Sequence, residues 1–139
     1  MFNKGGHIAM GKAIDDLNIR EKEDQAMDET VTISQLKSWA SRFVEERSWQ
    51  EYHTPKNLAM SIAIEAAELM EIFQWKTPEE SGTICQDPAT REHLGEEISD
   101  VLAYLLNLAD VLEIDLSTVF LDKMEKNGRK YPVGQTTSF

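Results

Sequence analysis

The run Met60-Ser61-Ile62-Ala63-Ile64-Glu65-Ala66-Ala67-Glu68-Leu69-Met70 sets two carboxylates inside an otherwise apolar helix, and Glu96-Glu97-Ile98-Ser99-Asp100-Val101-Leu102-Ala103-Tyr104-Leu105-Leu106 repeats the device. The pairs Glu65/Glu68 and Glu97/Asp100 are spaced i,i+3, so both acids of a pair leave one helix face a turn apart. Like charges at that spacing repel, and burying them unpaired costs roughly several kcal/mol or forces protonation. One such pair alone is ordinary solvated surface. Two pairs, each flanked by Ile, Leu, Met and Val, point instead to two helices facing one another across a divalent cation.

Helix caps recur outward from these runs. Thr54-Pro55 reads as N-cap and N1 proline of the helix that carries Glu65 and Glu68 and extends to about Trp75. Leu58, Ile62, Leu69 and Phe73 share one broad face of it, Met60 and Ile64 another, and Ser61, Glu65 and Glu68 form a narrow seam between them. Asp87-Pro88 opens the helix carrying the second pair, which runs to about Leu112. Its polar seam is Glu97, Asp100, Tyr104 and Asn107, on a wheel that is otherwise mostly apolar.

Upstream, Thr32-Ile33-Ser34-Gln35 fits a capping box for a helix to about Arg47, followed by a loop with Trp49, Tyr52 and His53. Thr77-Pro78-Glu79-Glu80 starts a short helical turn, and residues 81–86 read as a loop. Asp115 caps a last long helix over about residues 116–126, with Gly128 as the residue that ends it. Strand signals are weak. The expected fold is all-α, a four-helix bundle with antiparallel neighbours. Residues 31–132 form the domain, residues 1–30 a polar N-terminal arm that is mobile or partner-dependent, and residues 133–139 a C-terminal tail.

Bulk properties narrow the function classes. The formal net charge of −11 argues against a nucleic-acid polymer as partner, because that needs a broad basic face. A single cysteine, Cys85, rules out an intrachain disulfide and suits a reducing, cytoplasmic setting. No apolar run is long enough to span a membrane, and no signal-peptide pattern opens the chain.

Four facing carboxylates make an all-oxygen site. Oxygen donors suit Mg²⁺, or Mn²⁺, and the lack of His and Cys argues against zinc. A di-iron carboxylate bundle needs Glu-x-x-His motifs, and here His93 precedes Glu96 in the wrong order. Four acids exceed the charge of one ion, so either more than one metal binds or a phosphate-bearing substrate with its own cationic contacts completes the balance. Lys123, Lys126, Arg129 and Lys130 form a small cationic cluster suited to that. Solvated helix-end charge is the plain alternative. Trp49 and Trp75 are large flat side chains near helix ends, fit for base stacking or for the core. His53 reads as a loop hydrogen-bonding residue. Tyr104 and Asn107 continue the acidic seam.

Glu65-Ala66-Ala67-Glu68 followed by Glu96-Glu97-Ile98-Ser99-Asp100 resembles the E-x-x-E…E-x-x-D signature of the MazG-like all-α nucleoside triphosphate pyrophosphohydrolases, closest to the dCTP pyrophosphatase branch. The likeness extends through Phe43–Trp49, Pro55–Leu58, Phe73–Lys76 and Lys123–Pro132. The resemblance implies Mg²⁺-dependent hydrolysis of (d)NTPs to the monophosphate and pyrophosphate, in nucleotide-pool housecleaning. It implies Glu65, Glu68, Glu97 and Asp100 as metal ligands, with Glu96 beside them as a supporting or orienting base. It places Lys123, Asn127 and Arg129 on the phosphates and Trp49, Asn57 and Trp75 around base and sugar; His53 in the loop and Tyr104 on the seam are further substrate-binding candidates from their own chemistry and position. Departures fall at Ala40, where some relatives have histidine, and at Gly128, where some have arginine.

The second and third long helices are apolar on more sides than one small bundle covers, with Met60, Ile64, Met70, Leu102 and Leu106 left over. That implies a homo-oligomer, at least a dimer, and with the resemblance a tetramer built as a dimer of dimers. Two rival functions fit the same seams: a non-catalytic helical interaction module that meets a basic partner, and a nucleotide or metal sensor without turnover.

Overall fold

The computed structural model describes residues 27–134. The expectations for residues 1–26 and 135–139, most of the arm and of the tail, lie outside the described residues. Met27–Glu29 forms a single 3-10 turn. A compact unit begins at Thr32 and carries five helices: α1 (Ile33–Glu46), α2 (Pro55–Phe73), α3 (Pro78–Gly82), α4 (Pro88–Val111) and α5 (Leu116–Lys130). One-turn 3-10 helices at Gln50–Tyr52 and Ile84–Gln86 lie in the connections. Among the described residues there is no strand.

The helices start where side chains satisfy the first free N–H groups. The Gln35 N–H donates to Thr32 Oγ1 at 3.2 Å while the Thr32 N–H donates to Gln35 Oε1 at 2.8 Å. Thr77 and Glu80 form the same reciprocal box at α3. Thr54, Asp87 and Asp115 cap α2, α4 and α5. Pro55, Pro78 and Pro88 occupy N1, where a missing N–H costs nothing.

The C-terminal ends obey a rule that composition hides. Trp49 N–H donates to Val44 O at 3.1 Å and Ser48 N–H to Glu45 O at 2.9 Å. That 6→1, 5→2 pair closes α1 with Ser48 in the left-handed region at φ 54°. The same pair recurs at the end of α4 through Ile114 and Glu113, with Glu113 at φ 53°. By contrast, Gly128 does not end α5. The helix runs through it to Lys130, and the end is set by Pro132, which disfavours helical backbone at Tyr131.

The main packing joins α2 to α4, and α1 lies on α4. Lys37 of α1 donates to Ile114 O at 3.2 Å and pairs with Asp110 at 3.7 Å, fastening α1 to the end of α4. Among the described residues the buried apolar side chains are Val44, Leu58, Leu106 and Ala109. Leu106 therefore belongs to the core and is not an unpartnered residue. Met60, Ile64, Met70 and Leu102 are exposed, as expected of them. Helix α5 buries no residue and makes no extensive packing with another helix.

Candidate metal and nucleotide site

The α2–α4 interface brings the two acidic seams together. Glu65, Glu68 and Glu97 each offer a carboxylate oxygen within 4.8 Å of the other two. Oxygens bound at about 2.0–2.6 Å to one cation lie no more than ~4–5 Å apart. The three carboxylates thus need little movement to share an ion. Asp100 follows on the same face, but its shorter side chain stays outside this closest set.

Electrostatics mark the seam as a place of uncompensated negative charge. Desolvation, then the charges of Asp100, Glu68 and Glu97, raises the Glu65 pKa. Desolvation, then Glu68, raises that of Glu97, against a smaller opposing effect of His93. Desolvation, then Glu96 and Glu68, raises that of Asp100. Glu97 is the most enclosed of the four, only 7% exposed, and its Oε2 is buried without a hydrogen-bond partner. A buried carboxylate oxygen left unpaired among like charges costs free energy until a cation or a proton meets it. The oxygen-only donors and the orphaned Oε2 therefore fit a hard divalent cation such as Mg²⁺ or Mn²⁺.

His93, which the sequence offers only as out of order for a di-iron motif, is a neighbour of the cluster. Its Nδ1 lies 3.5 Å from Glu97 Oε1 and 3.8 Å from Glu96 Oε2. The sequence signal for this contact is the i,i+4 spacing of His93 and Glu97. Glu96 itself is exposed at the rim, turned to His93.

The seam runs into an aromatic region. Tyr104, one turn beyond Asp100 on α4, faces Ser61 and Glu65; burial first and then the Glu65 charge raise its pKa. The His53 ring stacks on Tyr104 with centroids 6.5 Å apart and planes 24° from parallel. His53 Nδ1 lies 2.9 Å from Trp49 O, and Asn57 Nδ2 donates to Tyr52 O at 3.0 Å. Trp49 meets Phe43 edge-on at 6.1 Å and keeps an exposed face. Trp75, just past the end of α2, is 86% exposed. Lys123, Asn127 and Arg129 all stand on α5, which does not pack extensively on α2 or α4. Arg129 pairs with Glu125 on the same helix. The fold thus assembles the acidic and aromatic parts within one chain, while the basic part is carried on a separate helix.

The chain is similar to known proteins. Residues 60–138 match the MazG-like family. The chain is 42% identical over 101 residues to the protein named dCTP pyrophosphatase 1 of Homo sapiens, covering 73% of this chain and 59% of that one. It is 41% identical over 102 residues to dCTP pyrophosphatase 1 of Bos taurus, covering 73% and 60%. The chain thus spans about 60% of the length of these curated relatives. A crystal structure of a pyrophosphatase from Archaeoglobus fulgidus aligns with a TM-score of 0.64 at 48% identity, covering 72% of this chain and 92% of that one. With two acidic seams joined across α2 and α4 and a family match over more than half its length, the chain belongs to the MazG-like family.

Proposed function

We propose that this protein is a Mg²⁺-dependent nucleoside triphosphate pyrophosphohydrolase that converts dNTPs to dNMPs and pyrophosphate, with deoxypyrimidines, dCTP first, as its better substrates. The observation that carries the reading is the three-glutamate cluster with its orphaned Glu97 oxygen, an arrangement whose mutual repulsion a bound cation would relieve. The names of the curated relatives support the substrate class.

Glu65, Glu68, Glu97 and Asp100 hold the cation. When bound, such an ion offsets charge on the phosphoryl oxygens and makes a nearby water more acidic. Water oxygen bonds to the α-phosphorus and gives up a proton to solvent, the bond from that phosphorus to the α,β-bridging oxygen breaks, and its electron pair leaves with pyrophosphate. Glu96, at the rim, orients the incoming water. Lys123, Asn127 and Arg129 receive the leaving phosphates. Trp49 and Trp75 flank the base, and Asn57 meets the sugar.

The protein acts as a homo-oligomer, a dimer or a dimer of dimers. Helix α5 supports this reading: Phe120 and Leu121 are 62% and 68% exposed on a helix that the other described residues leave largely uncovered. Association covers that face and carries the basic residues of α5 to a seam. The composition and single cysteine suit a cytoplasmic role.

Hydrolysis of dCTP in ¹⁸O-water tests the reaction. Label in dCMP and none in pyrophosphate is the expected outcome. Label in pyrophosphate, or products dCDP and orthophosphate, contradicts attack at the α-phosphorus. A sensor or an interaction module would bind without any turnover.

A further inference from the structure

The two oxygens of Glu97 sit in different surroundings, and His93 makes the difference. Oε2 is buried and has no hydrogen-bond partner. Oε1 lies 3.5 Å from His93 Nδ1, one helical turn back on α4. Side chains of a helix lean toward its N-terminus, so the carboxylate at i+4 comes to rest beside the ring at i. The same Nδ1 lies 3.8 Å from Glu96 Oε2. Ionised carboxylate oxygens only accept hydrogen bonds, so a ring nitrogen between two of them carries the proton and donates. Donation from Nδ1 needs no charge on the ring.

Among the described residues, no other basic side chain is paired with Glu65, Glu68, Glu97 or Asp100. The groups close enough to share one ion are Glu65, Glu68 and Glu97, and His93 is outside that set. Its nitrogen is also a softer donor than the oxygens that a hard divalent cation prefers. His93 therefore acts through Glu97 and not on the cation. The exposures fit an anchor at the rim, with the His93 side chain 57% exposed and that of Glu97 10%. Repulsion from Glu65 and Glu68 drives an unheld Glu97 carboxylate out toward water. An anchor at Oε1 opposes that swing and leaves Oε2 free for the ion.

We propose that His93 is a positioning residue of the metal site, whose Nδ1–H holds Glu97 Oε1 and so presents Oε2 to the divalent cation. This rests on the metal-binding part of the reading above and adds to it a residue outside the carboxylates. Groups that hold a metal ligand in place commonly set affinity by about 10–100-fold, and a ring at the exposed rim belongs at the lower end.

The test is Mn²⁺ binding to the full-length protein without nucleotide, read from the loss of the free ion's electron paramagnetic resonance signal. His93→Leu removes the donor at similar volume. His93→Asn keeps a neutral amide N–H near the Nδ1 position. Circular dichroism checks that α4 is intact in both. The expected result is Mn²⁺ binding about 10-fold weaker in His93→Leu and close to wild type in His93→Asn. A histidine that acted only as a nearby positive charge would give the opposite sign, with tighter binding on its removal. Unchanged or tighter binding by His93→Leu, equal weakening in both variants, or a wild type that binds no Mn²⁺ overturns the proposal. Pyrophosphate release from dNTPs is a separate measurement, so a protein that shows the His93 effect on Mn²⁺ yet hydrolyses nothing rejects the catalytic reading while upholding this one.

Discussion

Glu97 is the residue on which the site turns, because it is enclosed, its Oε2 has no partner, and it looks across to Glu65 and Glu68. Replacing Glu68 by Gln, Glu97 by Gln or Asp100 by Asn should lower turnover on the order of 100-fold or more, with the circular dichroism of the fold intact. Metal-free melting temperature should hold or rise, since one repelling charge is gone, and the rise caused by Mg²⁺ should shrink. Retained activity in these variants would sink the assignment of the acids. A pH dependence follows from the same charges. Glu65, Glu97 and Asp100 have folded pKa values above their ordinary 4.5, 4.5 and 3.8, so the folded protein binds their protons more readily than the unfolded chain does. Their contribution to stability is full below those ordinary values and is lost as pH rises through the raised ones. Asp87 and Asp115, lowered chiefly by hydrogen bonds from Thr90 and Thr118, act the other way only as pH falls below 3.8. Thermal melts in EDTA should therefore show stability increasing as pH falls toward the ordinary carboxylate value of 4.5; a steady decrease on that approach would contradict the account. At this scale the pairs Glu65/Glu68 and Glu97/Asp100 were legible, because i,i+3 spacing fixes a shared face. The looser position of Asp100 and the approach of His93 to Glu97 were not, since both depend on side-chain reach.

The elements begin on local rules, and so their starts were readable. Thr32, Thr54, Thr77, Asp87 and Asp115 all cap where a hydroxyl or carboxylate precedes a helix-compatible stretch, and each bond spans only three residues. The ends were harder. Ser48 and Glu113 close α1 and α4 in left-handed conformations that an L-residue enters at a cost of roughly 1 kcal/mol or more, so nothing in their identity announces the turn. The Trp49 and Ile114 N–H bonds to Val44 and Ala109 hold them there. Gly128 misled in the opposite sense, as a glycine inside a helix whose end is set by Pro132. A Cβ at Gly128 would meet nothing within 4 Å. Gly128→Ala should therefore stabilise α5 by about 0.5–1 kcal/mol, through the lost backbone freedom of the unfolded chain. Chemical denaturation should show a higher midpoint at unchanged slope, and a lower midpoint would mean that Gly128 ends the helix after all or lies against another chain.

At the scale of the molecule, the described residues form a thin core and leave many large apolar side chains exposed. Val44, Leu58, Leu106 and Ala109 are buried, while Met60, Ile64, Met70, Val119, Phe120, Leu121 and Met124 stay exposed on α2 and α5. The apolar excess could be read from the helical wheels of the sequence. Its distribution could not, because only the packing shows that Leu106 is covered and that α5 buries none of its residues among the described ones. Light scattering coupled to size exclusion should give a mass at an even multiple of the 15.8 kDa chain, and alanine at Phe120 together with Leu121 should shift it toward the single chain. A wild type that runs as an active species of single-chain mass would reject the association. The central claim, that the joined acidic seams form a hydrolytic metal site, is tested most directly by pyrophosphate release from a panel of dNTPs with Mg²⁺ and with EDTA. The expected result is one pyrophosphate per dNMP formed, fastest with dCTP, and abolished by EDTA. No release from any dNTP in the presence of Mg²⁺, or release that EDTA leaves unchanged, would contradict it.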